Sequence, residues 1–195
     1  MSFYFTYFLK NSFFIITFIH SSMDTIPLLY LKAGRLSAVS EGKWIRAKES
    51  IIQVFRDLTQ EYGQIYIMDI DGYQKNRAHL DIYRSYSRKV SFWVDSAPRT
   101  PGDVMDLFIS GVHRVTLVWK IMDDNDLKEI REMCTEEIYL ATKDEFSKTL
   151  EKVKDLGFDG VVVKDRPHLL QTRDKPVWFF NPENNGKVMV KKHTL

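Results

Sequence analysis

The chain has 195 residues, 44% of them apolar and 28% charged, which is enough apolar sequence for one compact domain with a sizeable core. A net charge of +2 and a pI near 8.5 leave no broad basic surface, so we expect no nucleic-acid partner. Cys134 is the single cysteine, which excludes an internal disulfide and fits the reducing cytoplasm. No CxxC pair or ligand-spaced histidine pair is present, so we predict no metal site and no cofactor.

Residues 1–22 differ from the rest of the chain. They are heavily aromatic, their apolar runs are too short to cross a bilayer, and they lack the basic start and cleavage site of a signal peptide. We interpret them as an apolar leader outside the native protein, with translation starting at Met23. An interfacial membrane anchor is the alternative interpretation. Residues 23–195 are predicted to form a single domain.

Strands and helices are predicted to alternate after Met23. Runs rich in β-favouring residues occur at 26–32, 64–70, 89–95, 114–120, 137–143 and 160–165. From the second run onward they recur at roughly 25-residue intervals, the length of one strand, one helix and two loops. Apolar residues at helical spacing fill two of the intervals, at Ile51, Phe55, Leu58 and Tyr62 and at Phe146, Leu150, Val153 and Leu156. Pro101 and Gly111 mark the start and end of a third helix.

The strand runs are almost continuously apolar, which is typical of parallel strands covered on both faces. The alternation therefore predicts an α/β fold, either a doubly wound sheet or a barrel. Charged residues follow the strands at their carboxyl ends, where parallel α/β folds bind ligands: Lys32, Asp69, Asp71, Asp95, Lys120, Lys143, Lys164 and Asp165. Ordinary exposure of strand ends is the alternative explanation.

Three stretches resemble the histidine-biosynthesis barrels, the family of the ribotide isomerase HisA and the cyclase subunit HisF, and above all its uncharacterised HisA-related members. IPLLYLKAGRL (26–36) is similar to the family's opening strand, IYIMDIDGYQKNRAHLDIYR (65–84) to its second strand and helix, and WVDSAPRTPGDVMDLFISGVHRVTLV (93–118) to its third unit. The resemblance implies a TIM-type (β/α) barrel of the ribulose-phosphate-binding type, shortened or irregular at its C-terminus. It also implies isomerase-like chemistry on a phosphorylated sugar.

The chain departs from this family at the positions that carry its chemistry. Tyr30 and Ala141 stand where the family has two acid-base carboxylates, so we do not expect the ribotide isomerase reaction. Asp95 begins the segment that replaces a phosphate-binding triple glycine, and Lys120 replaces part of a second phosphate loop. Arg99 matches the family's arginine and either reaches the site or pairs with Asp103.

After residue 165 the chain is too short for two further strand-helix units. VWFF (177–180) and KVMV (187–190) are predicted to be two short strands around a turn. They either complete the barrel as an irregular hairpin or leave it open for a partner to cover, which leaves a homo-oligomer as an open alternative.

From the resemblance and the strand-end charges we predict a divergent isomerase- or lyase-like enzyme for a phosphorylated sugar or small carbonyl compound. The predicted catalytic residues are Asp69, Lys32 and Asp95, and the predicted phosphate-binding residues are Arg99, Lys120 and Lys164. Three alternatives stay open: Mg²⁺ on the strand-end carboxylates, a Schiff base on a strand-end lysine, and a non-catalytic barrel that binds a ligand or a partner.

Overall fold

A computed structural model of the chain describes residues 25–40, 43–164, 175–180 and 188–192. The leader 1–22 and Asp165 lie outside the described residues. The strands are β1 (Thr25–Lys32), β2 (Arg35–Ser40), β3 (Lys43–Arg46), β4 (Gln64–Asp69), β5 (Ser91–Asp95), β6 (Arg114–Leu117), β7 (Glu137–Thr142), β8 (Gly160–Val163), β9 (Val177–Phe180) and β10 (Val188–Lys192). The helices are α1 (Ile51–Tyr62), α2 (Ile70–Lys75), α3 (Leu80–Tyr86), α4 (Pro101–Ile109), α5 (Asp124–Met133) and α6 (Phe146–Asp155).

The strands form one curled, mostly parallel sheet flanked by helices. Neighbouring strands pair in parallel from β1 to β4 and onward in chain order to β9. β10 is antiparallel to β9 on one side and to the first residues of β1 on the other. The remainder of that edge of β1 pairs with β2, the first strand of an added β2–β3 hairpin.

This arrangement confirms the predicted α/β class and the parallel pairing of the 64–70 and 89–95 segments. It also confirms the two short C-terminal strands and their antiparallel pairing. Strands β2 and β3 were not predicted, because the turn between β1 and β2 at Ala33 and Gly34 lies inside a stretch that resembles the opening of a βα unit. Both residues have a positive φ, 50° at Ala33 and 69° at Gly34, as tight hairpin turns require.

Alternating side chains of the parallel strands fill two separate cores, as the two-residue period of a strand dictates. The larger core lies between the sheet and the helices and includes Ile65 and Ile67 of β4 with Phe55 of α1. A smaller, aromatic-rich core occupies the inner face of the curl and includes Leu28, Tyr66, Trp93, Tyr139, Val162 and Trp178. A side chain at the end of a strand therefore lies next to either the aromatic inner core or the helix-covered core, depending on the face it is on.

Helix α4 begins as its sequence predicts. Pro101 is its first residue, the Thr100 hydroxyl accepts a hydrogen bond from the Asp103 backbone N–H at 3.2 Å, and the Asp103 carboxylate accepts from the Thr100 N–H at 3.0 Å. This reciprocal capping satisfies the free donors at the helix start. Within the described residues, no helix is long and apolar enough to cross a membrane.

Candidate functional site

Asp95 ends β5 on the inner face of the curled sheet and is fully buried. Its Oδ2 accepts hydrogen bonds from the Tyr66 hydroxyl at 2.8 Å and from Lys164 Nζ at 2.7 Å. Its Oδ1 accepts from the Tyr73 hydroxyl at 2.5 Å. The carboxylate thus has three donors from three remote elements, which compensates the desolvation of its charge.

Lys164 directly follows β8 and places its ammonium group beside Asp95. About 20% of its side chain is exposed, whereas Asp95 is not exposed at all. The ammonium also donates to the Tyr73 hydroxyl and lies 4.6 Å from the centre of the Tyr73 ring. The lysine is therefore the charged group of this cluster that a ligand can reach.

Tyr73 comes from α2, the short helix that follows β4. The helix can lie against the end of β5 because Gly72 has no side chain: a Cβ there would lie 2.6 Å from both the Cβ and the carbonyl oxygen of Ser96. The run Asp-Ile-Asp-Gly at 69–72 thus ends with the glycine that lets α2 bring Tyr73 over Asp95.

The phenols of this cluster stay protonated near neutral pH. Burial, reinforced by the Asp95 charge, raises the pKa of both Tyr66 and Tyr73 well above the ordinary tyrosine value. Both phenols consequently act as hydrogen-bond donors to the carboxylate. Beneath them, Thr116 Oγ1 accepts from Trp93 Nε1 at 2.8 Å and can donate its own proton to the Tyr66 hydroxyl oxygen, 3.3 Å away.

Asp69 ends β4 but points to the opposite, helix-covered face of the sheet, as its shared alternation with Ile65 and Ile67 dictates. It is fully buried. Its carboxylate accepts from the Gly72 N–H at 3.1 Å, the His79 N–H at 2.8 Å and the Tyr83 hydroxyl at 2.7 Å. The His79 ring nitrogen Nδ1 lies 3.0 Å from Oδ1. These contacts hold α2 and the start of α3 against the end of the strand.

Asp71, the second acid of the segment, holds the β1–β2 turn. Its Oδ2 accepts from the Ala33 N–H at 2.5 Å, and its Oδ1 lies 2.6 Å from Lys75 Nζ. The Lys75 contact, assisted by the Ala33 N–H and opposed by burial, holds the Asp71 pKa below its ordinary value. Asp71 therefore stays charged at neutral pH and bridges the turn to α2.

Asp69, Asp71 and His79 offer three possible metal-ligand atoms, one from each residue, within 4.8 Å of one another. Asp69 contacts Nδ1 of the imidazole, whereas Asp71 lies 3.5 Å from Nε2 on the other side of the ring. A metal ion at this cluster would compete with these contacts between the carboxylates and the ring. Their oxygens are also occupied by backbone N–H donors, so the geometry assigns this cluster to the fold.

His79 has two competing contacts at Nε2. The Gly34 N–H donates to Nε2 at 2.9 Å, which requires a neutral ring protonated at Nδ1. The Asp69 hydrogen bond, opposed by burial and assisted by the charges of Asp69 and Asp71, raises the His79 pKa. Protonation exchanges the Gly34 contact for a charged one to Asp71.

Two cavities border the segment that joins α2 to α3. The larger, about 580 Å³, is lined by Asp71, Lys75 and His79 among others, and the smaller, about 260 Å³, by Asn76 and Ser96 among others. Neither has Asp95 or Lys164 in its lining. We nevertheless place the candidate site at Lys164, because this lysine lies at the carboxyl end of the parallel strands, where ligand sites of parallel α/β folds form, and its side chain is partly exposed.

Of the six predicted site residues, the structure brings Asp95 and Lys164 into direct contact. Lys120 lies 2.6 Å from Glu145 Oε2 near the start of α6, and Arg99 is exposed. The Arg99 contact with Asp103 is made by its backbone N–H, at 3.0 Å. Lys32 is the last residue of β1 and is partly buried. It lies on the same face of the strand as Leu28, which belongs to the inner core.

Sequence reasoning missed Tyr66 and His79 as residues that contact the predicted acids. Tyr66 lies on the inner face of β4. The two-residue period of the strands, combined with the register of β4 and β5, could have indicated its contact with Asp95. No signal in the sequence could have indicated His79, because its partners depend on how the loop after α2 folds back.

No protein-family model matches the chain, and no curated protein is significantly similar to it.

Proposed function

We propose that the protein is a divergent HisA-related barrel, an isomerase- or lyase-like enzyme whose ligand site is the Lys164–Asp95–Tyr73 cluster. In this proposal the curled sheet is a shortened TIM-type barrel of the ribulose-phosphate-binding type, in which β9 and β10 replace the last strand-helix units. The ligand is a phosphorylated sugar or a small carbonyl compound. Chemistry of the ribotide isomerase itself is not part of the proposal, since Tyr30 and Ala141 are not carboxylates.

One observation carries the proposal. Lys164 is a partly exposed ammonium group anchored by a fully buried carboxylate at the carboxyl end of the parallel strands. Ligand sites of parallel α/β folds form at that end. A positive charge held in a fixed position there can polarise a carbonyl oxygen and stabilise the negative charge that develops on it during enolisation or bond cleavage.

The roles of the two residues follow from their exposure. Lys164 contacts the ligand oxygen, and Asp95 orients the ammonium group from behind. Asp95 can act as a base only when Tyr73 or Lys164 moves aside, because it is fully buried behind these two side chains. Asp69 has no direct part, since it contacts backbone and side-chain donors on the other face of the sheet.

A thermal-shift screen against sugar phosphates, ribotides and small carbonyl compounds tests the proposal, because a ligand that binds the folded state raises its melting temperature. We expect at least one compound to stabilise the wild type and to lose its effect on Lys164→Met. Lys143→Met is the matched control, an exposed lysine that follows β7. A stabilising compound that acts equally on both variants would place the site elsewhere. Expression in an isomerase-null strain is expected not to restore growth without histidine.

A non-catalytic barrel is the second candidate, favoured by one specific observation. Asp95 has all its donors from within the chain, so the network is complete without a ligand. Proton NMR of each stabilising compound during incubation with the protein separates the two candidates. Conversion that Lys164→Met abolishes supports the enzyme, and binding with no conversion of any compound supports the binding protein.

A further inference from the structure

We infer that Lys164 receives the oxygen of an uncharged aldehyde or ketone group and not a phosphate group. This inference rests on the proposed function and specifies its ligand: the carbonyl end of the compound faces Lys164. It differs from the expectation that Lys164 is a phosphate contact, and three features of the described residues lead to it.

The first feature is the number of hydrogen-bond donors that Lys164 still offers. An ammonium group has three N–H donors. One is directed at Asp95 Oδ2 and a second at the Tyr73 hydroxyl oxygen. Among the described residues these are its polar partners, which leaves one N–H for a ligand. A single donor suits one carbonyl oxygen, whereas phosphate sites present several donors to several oxygens.

The second feature is charge. Asp95 lies 2.7 Å from the ammonium group, so the pair is neutral overall and a phosphate at Lys164 would also face the buried carboxylate. The other two cations predicted to bind phosphate do not offset that repulsion. Lys120 is paired with Glu145, and Arg99 is exposed with its backbone bound to Asp103.

The third feature is the surface around the ammonium group. The Tyr73 ring lies against it at 4.6 Å, and the inner core beneath is aromatic. An aromatic surface around one ammonium group suits a small neutral carbonyl compound better than a solvated dianion.

Ligand-observed NMR tests the inference with two probes, dihydroxyacetone as the neutral ketone and inorganic phosphate as the dianion. For the wild type we expect saturation transfer to dihydroxyacetone and no line broadening of phosphate at millimolar concentration. Lys164→Met should lose the transfer. Asp95→Asn removes the opposing charge at nearly constant shape and should broaden the phosphate line at a concentration at which the wild type leaves it unchanged.

Asp69→Asn is the matched control, since Asp69 is also a fully buried aspartate bonded to a tyrosine hydroxyl but lies on the other face of the sheet. It should gain no phosphate binding. If Asp95→Asn does not fold, the wild type and Lys164→Met decide the question alone. Lys164-dependent phosphate binding by the wild type would overturn the inference and keep the proposed site. Absence of any Lys164-dependent binding of either probe, together with a thermal-shift screen that yields no Lys164-dependent compound, would overturn both.

Discussion

Asp69 and Asp95 are both fully buried carboxylates at the ends of neighbouring parallel strands, yet they are compensated in opposite ways. Asp69 contacts residues that follow it closely in sequence, and two of its donors are backbone N–H groups. Within the described part of the chain, Asp95 accepts hydrogen bonds from side chains alone, which come from β4, α2 and the residue after β8. The contacts of Asp69 hold the loop after β4 in place. The contacts of Asp95 join elements that are remote in sequence, and one of them comes from the partly exposed Lys164.

The comparison teaches that burial and position at a strand end do not by themselves identify a functional acid. The face of the sheet decides which partners a strand-end acid meets, and one residue of sequence changes the face. Mutations that affect the two carboxylates unequally test whether the two residues have different roles.

Asp69→Ala should have the largest effect on stability. It leaves the Gly72 and His79 N–H groups and the Tyr83 hydroxyl without their acceptor, and we expect a loss of about 4 kcal/mol in the free energy of unfolding. Urea denaturation measures it. Asp81→Ala, at a side chain that is 97% exposed, is the control and should change stability by less than about 0.5 kcal/mol. A loss below about 1 kcal/mol for Asp69→Ala would contradict its role in the fold.

Lys164→Met should be the next most destabilising change, by about 2 kcal/mol in urea denaturation. It leaves Asp95 charged and buried, but the Tyr66 and Tyr73 hydroxyls still donate to the carboxylate and limit the loss. Lys143→Met should have little effect, because that lysine is exposed. Equal stabilities of the two variants would mean that the Lys164–Asp95 pair is open to solvent.

Gly72→Ala should destabilise the protein by about 2 kcal/mol, since the added methyl group collides with the Ser96 side chain and carbonyl. It should also displace Tyr73 from Asp95, which can be followed by the near-ultraviolet circular dichroism of tyrosine. Gly102→Ala is the control, because a methyl group there meets nothing closer than 3.7 Å. Wild-type stability for Gly72→Ala would show that α2 does not need its close approach to β5.

The pH dependence contributed by His79 should be the smallest effect. The Asp69 contact raises the His79 pKa in the folded state, so its contribution to stability is fully present below the unfolded-state pKa near 6.5 and is lost as the pH rises through the folded pKa. His79→Gln should flatten this decline when urea denaturation is compared at acidic and alkaline pH. A wild-type stability that increases through this pH window because of His79 would show that the Gly34 contact, and not the carboxylates, governs the ring.

The sequence predicted the parallel strands and helices α1, α4 and α6 well, because continuous apolar strands, helical stripes and the Pro101 start are local signals. Strands β2 and β3 could not be predicted the same way, since the turn that leads from β1 into β2 depends on Ala33 at a positive φ, which has no strong sequence signature. Among the site residues, Asp95 and Lys164 do converge as the strand-end argument expects.

Asp69 shows the limit of that argument. Its position at the carboxyl end of β4 was correct, but position alone does not say which face a side chain takes. Asp69 lies on the same helix-covered face of the strand as Ile65 and Ile67. Lys120 does not follow the strand-end rule either, because a short 3-10 turn at Trp119–Ile121 carries it away from the end of β6 and toward Glu145.

The pairing of Val188–Val190 with Thr25–Pro27 has a consequence for biosynthesis. As the ribosome elongates the chain, Thr25–Pro27 emerges early, whereas the partner that covers this part of its edge is translated about 160 residues later. Until then the nascent polypeptide carries an uncovered strand edge, the feature that chaperones shield and that promotes aggregation when it stays exposed.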